Sequence, residues 1–169
     1  MVVLKVKIVP ETWFLAPKVT EAQLKRWYEK GWIDEEGLHL DRSFMRNSEG
    51  KPILLKLHIR AFLRRAAKEL GKEMPKFEIV DENGRPVEYV VINDQPLRYR
   101  RPILDEENTT TEFFEYLDGT YEIEFLVETD DPKTLAELFA YAGKYIGYGG
   151  TTGKGYGRFK VFIEAVSEK

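Results

Sequence analysis

The order in which strand patterns and helix patterns follow one another constrains this fold more than any other feature of the sequence. Residues 2–9 alternate apolar and polar side chains, as a strand with one solvated face does. Residues 57–70 place their apolar side chains on one helical stripe, and a further helix begins at Pro132. Strand patterns lie between these two helices and again in 158–166, after the second helix.

Once the segment 10–52 is set aside, this order is βαββαβ. It predicts an α+β protein with a ferredoxin-like (RRM-like) antiparallel sheet and both helices on one face. Residues 1–169 are expected to form one domain, with insertions at about 10–52 and 93–111. The second insertion is predicted to be a protruding loop or hairpin. The first contains a helix that Thr20 and Gln23 begin with a capping box.

Two turn signals divide the strands between the predicted helices. The turn at 83–84 is expected to join strands 77–80 and 87–92, and the turn at 118–119 divides the long strand pair 112–128. The helix 57–70 is predicted to bury one apolar stripe. That stripe consists of Leu57, Phe62, Leu63, Ala66, Ala67 and Leu70.

Charge and composition exclude several classes of protein. The net charge of -3 argues against a non-specific basic coat for nucleic acid, although it allows a local basic groove. The absence of cysteine excludes disulfides, thiolate nucleophiles and cysteine metal sites. The two histidines lack a metal-ligand spacing, so no metal or cofactor is expected. No apolar run approaches the roughly 20 residues of a membrane span, and a cytoplasmic protein is expected.

Residues 147–159, GYGGTTGKGYGRF, hold nearly half of the 13 glycines in the chain. Their spacing fits neither a Walker A loop nor a dinucleotide fingerprint, and the run lies between a helix and a strand. Bare amides, hydroxyls and cations suit a phosphodiester, whereas Tyr148 and Tyr156 offer faces on which bases stack. The alternative is a tight turn that lets the helix pack closely on the sheet. The candidate binding residues here are Gly149, Gly150, Thr151, Thr152, Lys154 and Arg158.

A glycine loop of this form, leading into the last strand of a ferredoxin-like domain, resembles the RAMP superfamily, the RNA-binding proteins of CRISPR systems. Segments 46–53 and 58–65 resemble the stretch before and within the first helix of CRISPR backbone subunits. Segment 110–120 resembles the strand and turn after their thumb hairpin. The resemblance spans about 44–166, and the chain is also similar to small stand-alone phage and prophage proteins of this kind. It implies binding of single-stranded RNA (or single-stranded DNA), and self-association or effector-type protein partners.

Two further groups of cations are candidates for binding nucleic acid. Arg60, Arg64 and Lys68 recur at i, i+4 and i+8 and share one helix face, which could equally be a solvated surface. Arg98, Arg100 and Arg101 surround Tyr99 in the predicted hairpin, an arrangement that suits backbone contacts and stacking. The alternative for these arginines is pairing with the acids of 105–107 across the hairpin.

The sequence offers only isolated candidates for catalysis. The RAMP superfamily includes nucleases that cleave RNA with a histidine near the glycine loop. The resemblance therefore makes His58 a candidate general acid or base. The superfamily also includes CRISPR backbone subunits that cleave the target with an aspartate and a metal. By the same resemblance, Asp41 is a candidate catalytic residue. A non-catalytic RNA-binding module is therefore the first hypothesis. A protein-interaction module and a metal-independent RNA endonuclease are the alternatives.

Overall fold

The computed structural model describes residues 1–93, 100–105, 110–149 and 155–168. The strands are β1 (Val2–Pro10), β2 (Phe14–Leu15), β3 (Met45–Arg46), β4 (Pro52–Leu55), β5 (Phe77–Val80), β6 (Tyr89–Val91), β7 (Arg100–Asp105), β8 (Thr110–Leu117), β9 (Ile123–Thr129) and β10 (Phe159–Glu168). The α-helices are α1 (Glu21–Glu29), α2 (Lys56–Leu70) and α3 (Pro132–Tyr141). A 3₁₀ helix covers Glu35–His39, and a π-helical turn, Ala142–Ile146, continues α3.

The main sheet has the strand order β10-β1-β9-β5, and every neighbouring pair is antiparallel. Since α2 lies between β1 and β5 in the chain and α3 lies between β9 and β10, these four strands and two helices follow the βαββαβ order. The first strand and the last are therefore the pair at one side of the sheet, as a ferredoxin-like fold requires. The structure confirms the predicted fold class.

The core lies between one face of this sheet and the two helices. Alternate residues of β1, among them Val6 and Ile8, point into it and contact the same cluster as Leu63 of α2 and Phe139 of α3. Phe159, the first residue of β10, closes the cluster against Phe62 at a ring separation of 5.2 Å. In the described residues, no helix combines the length and apolarity needed to cross a membrane.

The buried stripe of α2 differs from the predicted one at both ends. Leu57 is 62% exposed and Leu70 also faces solvent, so neither belongs to the core. Ile59 is buried in their place, because the stripe at 59, 62, 63, 66 and 67 follows the helical i, i+3, i+4 spacing from Ile59. Lys56 is also buried, and its ammonium forms an ion pair with Glu78 of β5.

Two predicted strand pairs are wrong, although their turns are present. Beyond β5 the turn is held by Asp81, and the described pairing there is a single bridge between Val80 and Pro86, beside which the Val87 N–H donates to the Ile79 carbonyl. Thus β6 pairs instead with β4. Strand β8 does not pair with β9, because β1 and β5 occupy both edges of β9; β8 pairs with β2 and β7.

The segment before α2 forms a second, smaller core. It packs Leu24, Trp27, Ile33 and Leu40 together, and α1 begins with the predicted capping box. A buried ion pair joins this segment to β8: Arg46 Nη2 lies 2.8 Å from Glu115 Oε2, with both side chains almost completely enclosed. Ser43 Oγ and the Phe44 N–H also donate to Glu115, so the carboxylate is well satisfied.

Candidate nucleic-acid interface

The two ends of the glycine run lie side by side and are joined by a backbone hydrogen bond. We call residues 147–148 and 157–158 the loop stem. The Tyr148 N–H donates to the Gly157 carbonyl (2.8 Å), and the Gly157 N–H donates to the Trp13 carbonyl (2.8 Å). A Cβ on Gly157 would lie closer than 3.0 Å to the Tyr148 backbone. The close approach that glycine permits here is therefore to the chain itself, as the packing alternative predicted.

Two glycines beyond the stem are different, and we call Gly149 and Gly155 the loop rim. Gly155 has φ +90°, yet among the described residues a Cβ there would meet nothing within 4 Å. Gly149 is exposed, and its Cβ would lie 3.5 Å from the Leu15 carbonyl, an ordinary contact. The rim backbone is exposed, and the Gly155 carbonyl accepts a hydrogen bond from Thr12 Oγ1 at 2.8 Å. Four predicted residues of this run, Gly150, Thr151, Thr152 and Lys154, lie outside the described residues.

Tyr148 does not offer the stacking face that the sequence suggested. It is only 3% exposed and packs on Phe14 with ring centroids 5.1 Å apart. Its hydroxyl lies 3.5 Å from His58 Nδ1, and burial raises the pKa of this phenol. Tyr156 is partly buried and stacks near Trp13. Stacking of a base on Tyr148 would require the core to open, so this expectation is wrong.

A cavity of about 280 Å³, the loop groove, lies between α2 and the start of the glycine run. Helix α2 supplies His58 and Arg65, and the segment after β2 supplies a small apolar wall. Arg65 Nε donates to Glu69 at 3.0 Å, within the same helix. The lining residues are Leu15, Ala16, Pro17, His58, Ala61, Phe62, Arg65, Ile146, Gly147, Tyr148 and Gly149.

His58 contributes an uncharged ring to this groove. It is half-buried, and desolvation lowers its pKa below the ordinary value of 6.5. The imidazole is therefore mostly neutral at neutral pH, with one nitrogen a donor and the other an acceptor. Such a ring suits a hydrogen bond to a base or a hydroxyl better than an ion pair with a phosphate.

The predicted cations of α2 lie together on its exposed surface, which we call the basic face. Arg60, Arg64 and Lys68 are all exposed, and Arg60 also lies over the Phe77 ring at 5.7 Å. Within the described part of the chain, no ion pair involves Arg64 or Lys68. Exposed Leu57 lies beside these cations, and a shallow cavity of about 400 Å³ contains Leu57, Arg60 and Arg64.

Arg158 is held rigidly by its backbone. Its carbonyl accepts from the Glu11 N–H (2.8 Å), and its own N–H donates to Thr12 Oγ1 (2.9 Å). A Cβ on Gly147 would lie 3.0 Å from Arg158 Nη1, which is buried and has no hydrogen-bond partner among the described residues. The Arg158 guanidinium thus lies directly against the loop stem, with a donor that no described residue pairs.

The predicted arginines of the hairpin are placed only by their backbone. Strands β7 and β8 form an antiparallel pair in which Arg100 is opposite Glu115 and Arg101 is opposite Phe114. The hairpin predicted for 93–111 is therefore present, and its second strand continues to Leu117. Arg98 lies outside the described residues, so a shared surface for the three arginines stays a prediction.

Asp41 has a structural role and lies in a different cavity from His58. Its Oδ2 accepts from the Phe113 N–H at 2.7 Å, which fixes the start of β8 against the preceding segment. The cavity beside it contains His39 and Glu112, whereas His58 lines the loop groove. No group of three or more acids or histidines able to hold a metal occurs in the described residues.

The groove wall from β2 could not be found by reasoning from the sequence. Residues 15–17 belong to an insertion whose position depends on pairing of β2 with β8, a long-range contact without a local pattern. Thr12, which receives the Arg158 N–H, was missed for the same reason. Arg65 could have been found, because it follows Arg64 on the helix already identified as basic.

The face of the main sheet away from the helices is a poor site for RNA. Lys5 and Lys7 form ion pairs with Glu124 and Glu122. In the described strands of this sheet, Phe162 is the one exposed aromatic side chain on that face. RRM domains stack two or three bases on aromatic residues of the equivalent surface. The helix side, with the loop groove and the basic face, is therefore the candidate interface.

Comparisons with known proteins find the fold in CRISPR complexes. No protein-family model matches the chain, and no curated protein matches its sequence. A chain of a type IV-B CRISPR complex is similar with a TM-score of 0.60 and 14% identity, covering 99% of this chain and 92% of that one. A chain of the type III-B Cmr-beta complex bound to cognate target RNA has a TM-score of 0.55 and 13% identity. That match covers 98% of this chain and 60% of the other.

Proposed function

We propose that this protein is a non-catalytic module that binds single-stranded nucleic acid, with RNA preferred over DNA. The strand follows the basic face of α2, crosses the loop groove and reaches the loop rim. The observation that carries the proposal is the groove itself, because it brings α2 and the start of the glycine run to one place. These are two segments that the sequence identified separately as binding elements.

The chemistry of this path suits a single strand. Arg60, Arg64 and Lys68 provide exposed cations for phosphates, and Arg158 adds a guanidinium beside the stem. The groove wall is apolar, so it can accept a base, while neutral His58 can form a hydrogen bond to that base. The exposed backbone of the rim can approach the sugar-phosphate chain closely.

The comparisons support this proposal through the complexes in which the similar chains are found. One similar chain belongs to a CRISPR complex, and the other belongs to a complex bound to target RNA. Together with the RAMP resemblance, they favour an RNA ligand and association with other protein subunits. The protein would then act either in a CRISPR-type assembly or alone, as the resemblance to stand-alone phage proteins suggests. Copurification of RNA with further subunits would favour the assembly.

Fluorescence anisotropy with labelled single-stranded RNA and DNA tests the proposal. We expect binding that weakens with salt, and an affinity about fivefold to tenfold lower for each of Arg64→Ala and Arg158→Ala. Each variant should also lower the salt dependence, by a slope of roughly 0.7 for each phosphate that the protein no longer neutralises. Lys25→Ala removes an exposed cation of α1 and is the matched control. Equal affinity in all variants would place the site elsewhere.

A second candidate function, cleavage of RNA without a metal, is favoured by one contact. His58 lies in the loop groove with its Nδ1 near the Tyr148 hydroxyl, and its lowered pKa keeps the imidazole available as a base. The integrity of the RNA probe after the binding measurement tests this candidate. Cleavage that disappears in His58→Ala would replace the non-catalytic proposal, whereas an intact probe supports it.

A further inference from the structure

Strand β10 forms an edge of the main sheet. It pairs with β1 along Phe159–Glu168, and no strand in the described part of the chain pairs with its outer side. Its ten residues make it slightly longer than β1, which has both edges occupied. A long edge of this kind exposes backbone donors and acceptors that another strand can use.

From residue 159 to residue 165, the outward backbone groups of β10 belong to odd-numbered residues; beyond Ala165 the register to β1 shifts by one residue. The Glu11 N–H donates to the Arg158 carbonyl, which places residue 158 in a hydrogen-bonded pair with the end of β1. In an antiparallel ladder these pairs recur at every second residue, so 160, 162 and 164 also direct their groups toward β1. Residues 161 and 163 then present their N–H and carbonyl groups to the free edge.

The exposed side chains of this edge are complementary in charge to those of a second, antiparallel copy of the same strand. On the solvated face, Lys160, Phe162 and Glu164 follow one another at two-residue spacing, and all three are exposed. Phe162, 54% exposed, has Lys7 over its ring at 5.3 Å. When two such strands run antiparallel with Phe162 opposite Phe162, each Lys160 is opposite a Glu164. On the other face, Val161 is then opposite Ile163.

We propose that two copies of this chain associate through antiparallel pairing of their β10 strands, centred on Phe162. This register places two opposite-charge pairs beside an aromatic pair. Shifting the centre to residue 160 or 164 would instead place two lysines or two glutamates opposite each other, which is unfavourable. The same surface on both subunits closes the assembly at a dimer with an eight-stranded sheet.

The dimer interface lies away from the loop groove, so the two proposals stand independently. Phe159 of one strand is then opposite Ala165 of the other, and at about 3.4 Å per residue this separation of six positions places the first residues of the two β10 strands roughly 20 Å apart. The two loop stems would therefore lie on opposite sides of the dimer centre. A longer RNA could then contact both.

Sedimentation velocity without nucleic acid, over a series of protein concentrations, tests the pairing. Lys160→Glu places two glutamate pairs opposite each other, and we expect the dimer dissociation constant to rise about tenfold to hundredfold. Glu164→Lys should have a similar effect. The double variant Lys160→Glu/Glu164→Lys restores both pairs with reversed charge, so its dissociation constant should return to within about threefold of the original.

A second variant separates the edge contact from general damage to the strand. Ala165→Pro acts opposite Leu4, at the last residue before the register to β1 shifts, and removes an N–H that the alternation directs to the free edge. We expect it to weaken the dimer while the unfolding transition of the monomer is preserved. A monomer at every concentration of the unmodified chain would overturn the proposal. A dimer that responds to neither charge variant, or a double variant no better than the single ones, would also overturn it.

Discussion

Gly155 and Gly157 are two residues apart in the same run, and both have a positive φ, yet their surroundings differ completely. A Cβ on Gly157 would collide with the Tyr148 backbone, whereas a Cβ on Gly155 would meet none of the described residues. The stem glycine is required by the fold, whereas the rim glycine is exposed, with its carbonyl accepting a hydrogen bond from Thr12 Oγ1. One glycine-rich run therefore contains both glycines that allow close packing and glycines that leave the backbone exposed. Only the position of each residue in the fold distinguishes them.

The largest expected effect comes from Gly157→Ala. The new methyl group meets backbone atoms that cannot rotate away, and it is added at a left-handed φ of +84°. We expect the free energy of unfolding to fall by about 3–5 kcal/mol, since overpacking and the unfavourable φ add. Urea denaturation measures this loss. A loss below about 1 kcal/mol would show that the stem packs loosely.

A somewhat smaller loss is expected for Gly143→Ala, in the π-helical turn after α3. Here the Cβ would lie closer than 3.0 Å to both the Phe159 carbonyl and the Phe159 ring, but φ is not in the left-handed region. We expect a loss of about 2–3 kcal/mol from overpacking alone. Ala142→Gly, at a neighbouring buried position, is the control for a general effect of changing this turn. Thermal unfolding of both variants would show whether close packing extends beyond the stem.

At the rim, a substitution should change the affinity for RNA more than the stability of the fold. Gly155→Ala adds a methyl group that contacts none of the described residues, so we expect only the positive φ to destabilise the variant, by about 1 kcal/mol. If RNA lies against the rim, its affinity should fall about threefold to tenfold, because the methyl group separates the two backbones. Anisotropy and denaturation on the same samples distinguish the two effects. Unchanged affinity would remove the rim from the interface.

The smallest expected effect concerns pH and the contact between His58 and the stem. Burial lowers the pKa of folded His58 below 6.5, so the unfolded chain binds the proton first as pH falls. The stability that the neutral His58 ring contributes is fully present above the pKa of His58 in the unfolded chain. It is lost as the pH falls through the pKa of His58 in the folded protein. We would measure the free energy of unfolding at pH 7.5 and at about pH 5 for the unmodified chain and for His58→Asn. The variant should lose less stability between the two pH values.

The fold could be predicted largely because its signals are local. The capping box of Thr20, the ends of α2 and the alternation in β1 are each determined by neighbouring residues. The partners of β6 and β8 could not be predicted. Their choice depends on which edges other strands occupy, and no short pattern records that.

The candidate site was predictable in its parts but not in its assembly. The cations of α2 and the glycine run are visible in the sequence, whereas the burial of Tyr148 depends on Phe14, from an insertion far away in the chain. The exposure of Leu57 likewise follows from the rotation of α2 on the sheet. Packing between distant segments therefore determined which of the predicted residues are exposed.

The pairing of β1 with β10 has a consequence for synthesis of the protein. Val2 pairs with Glu168, so β1 must wait for nearly the whole described chain before this edge is covered. During translation, β9 can cover one side of β1, but the other side stays open until β10 has been made. The loop stem forms in the same step, because residues 157–158 immediately precede β10. A newly made chain therefore completes the covering of β1 and the loop stem together, once β10 has been made.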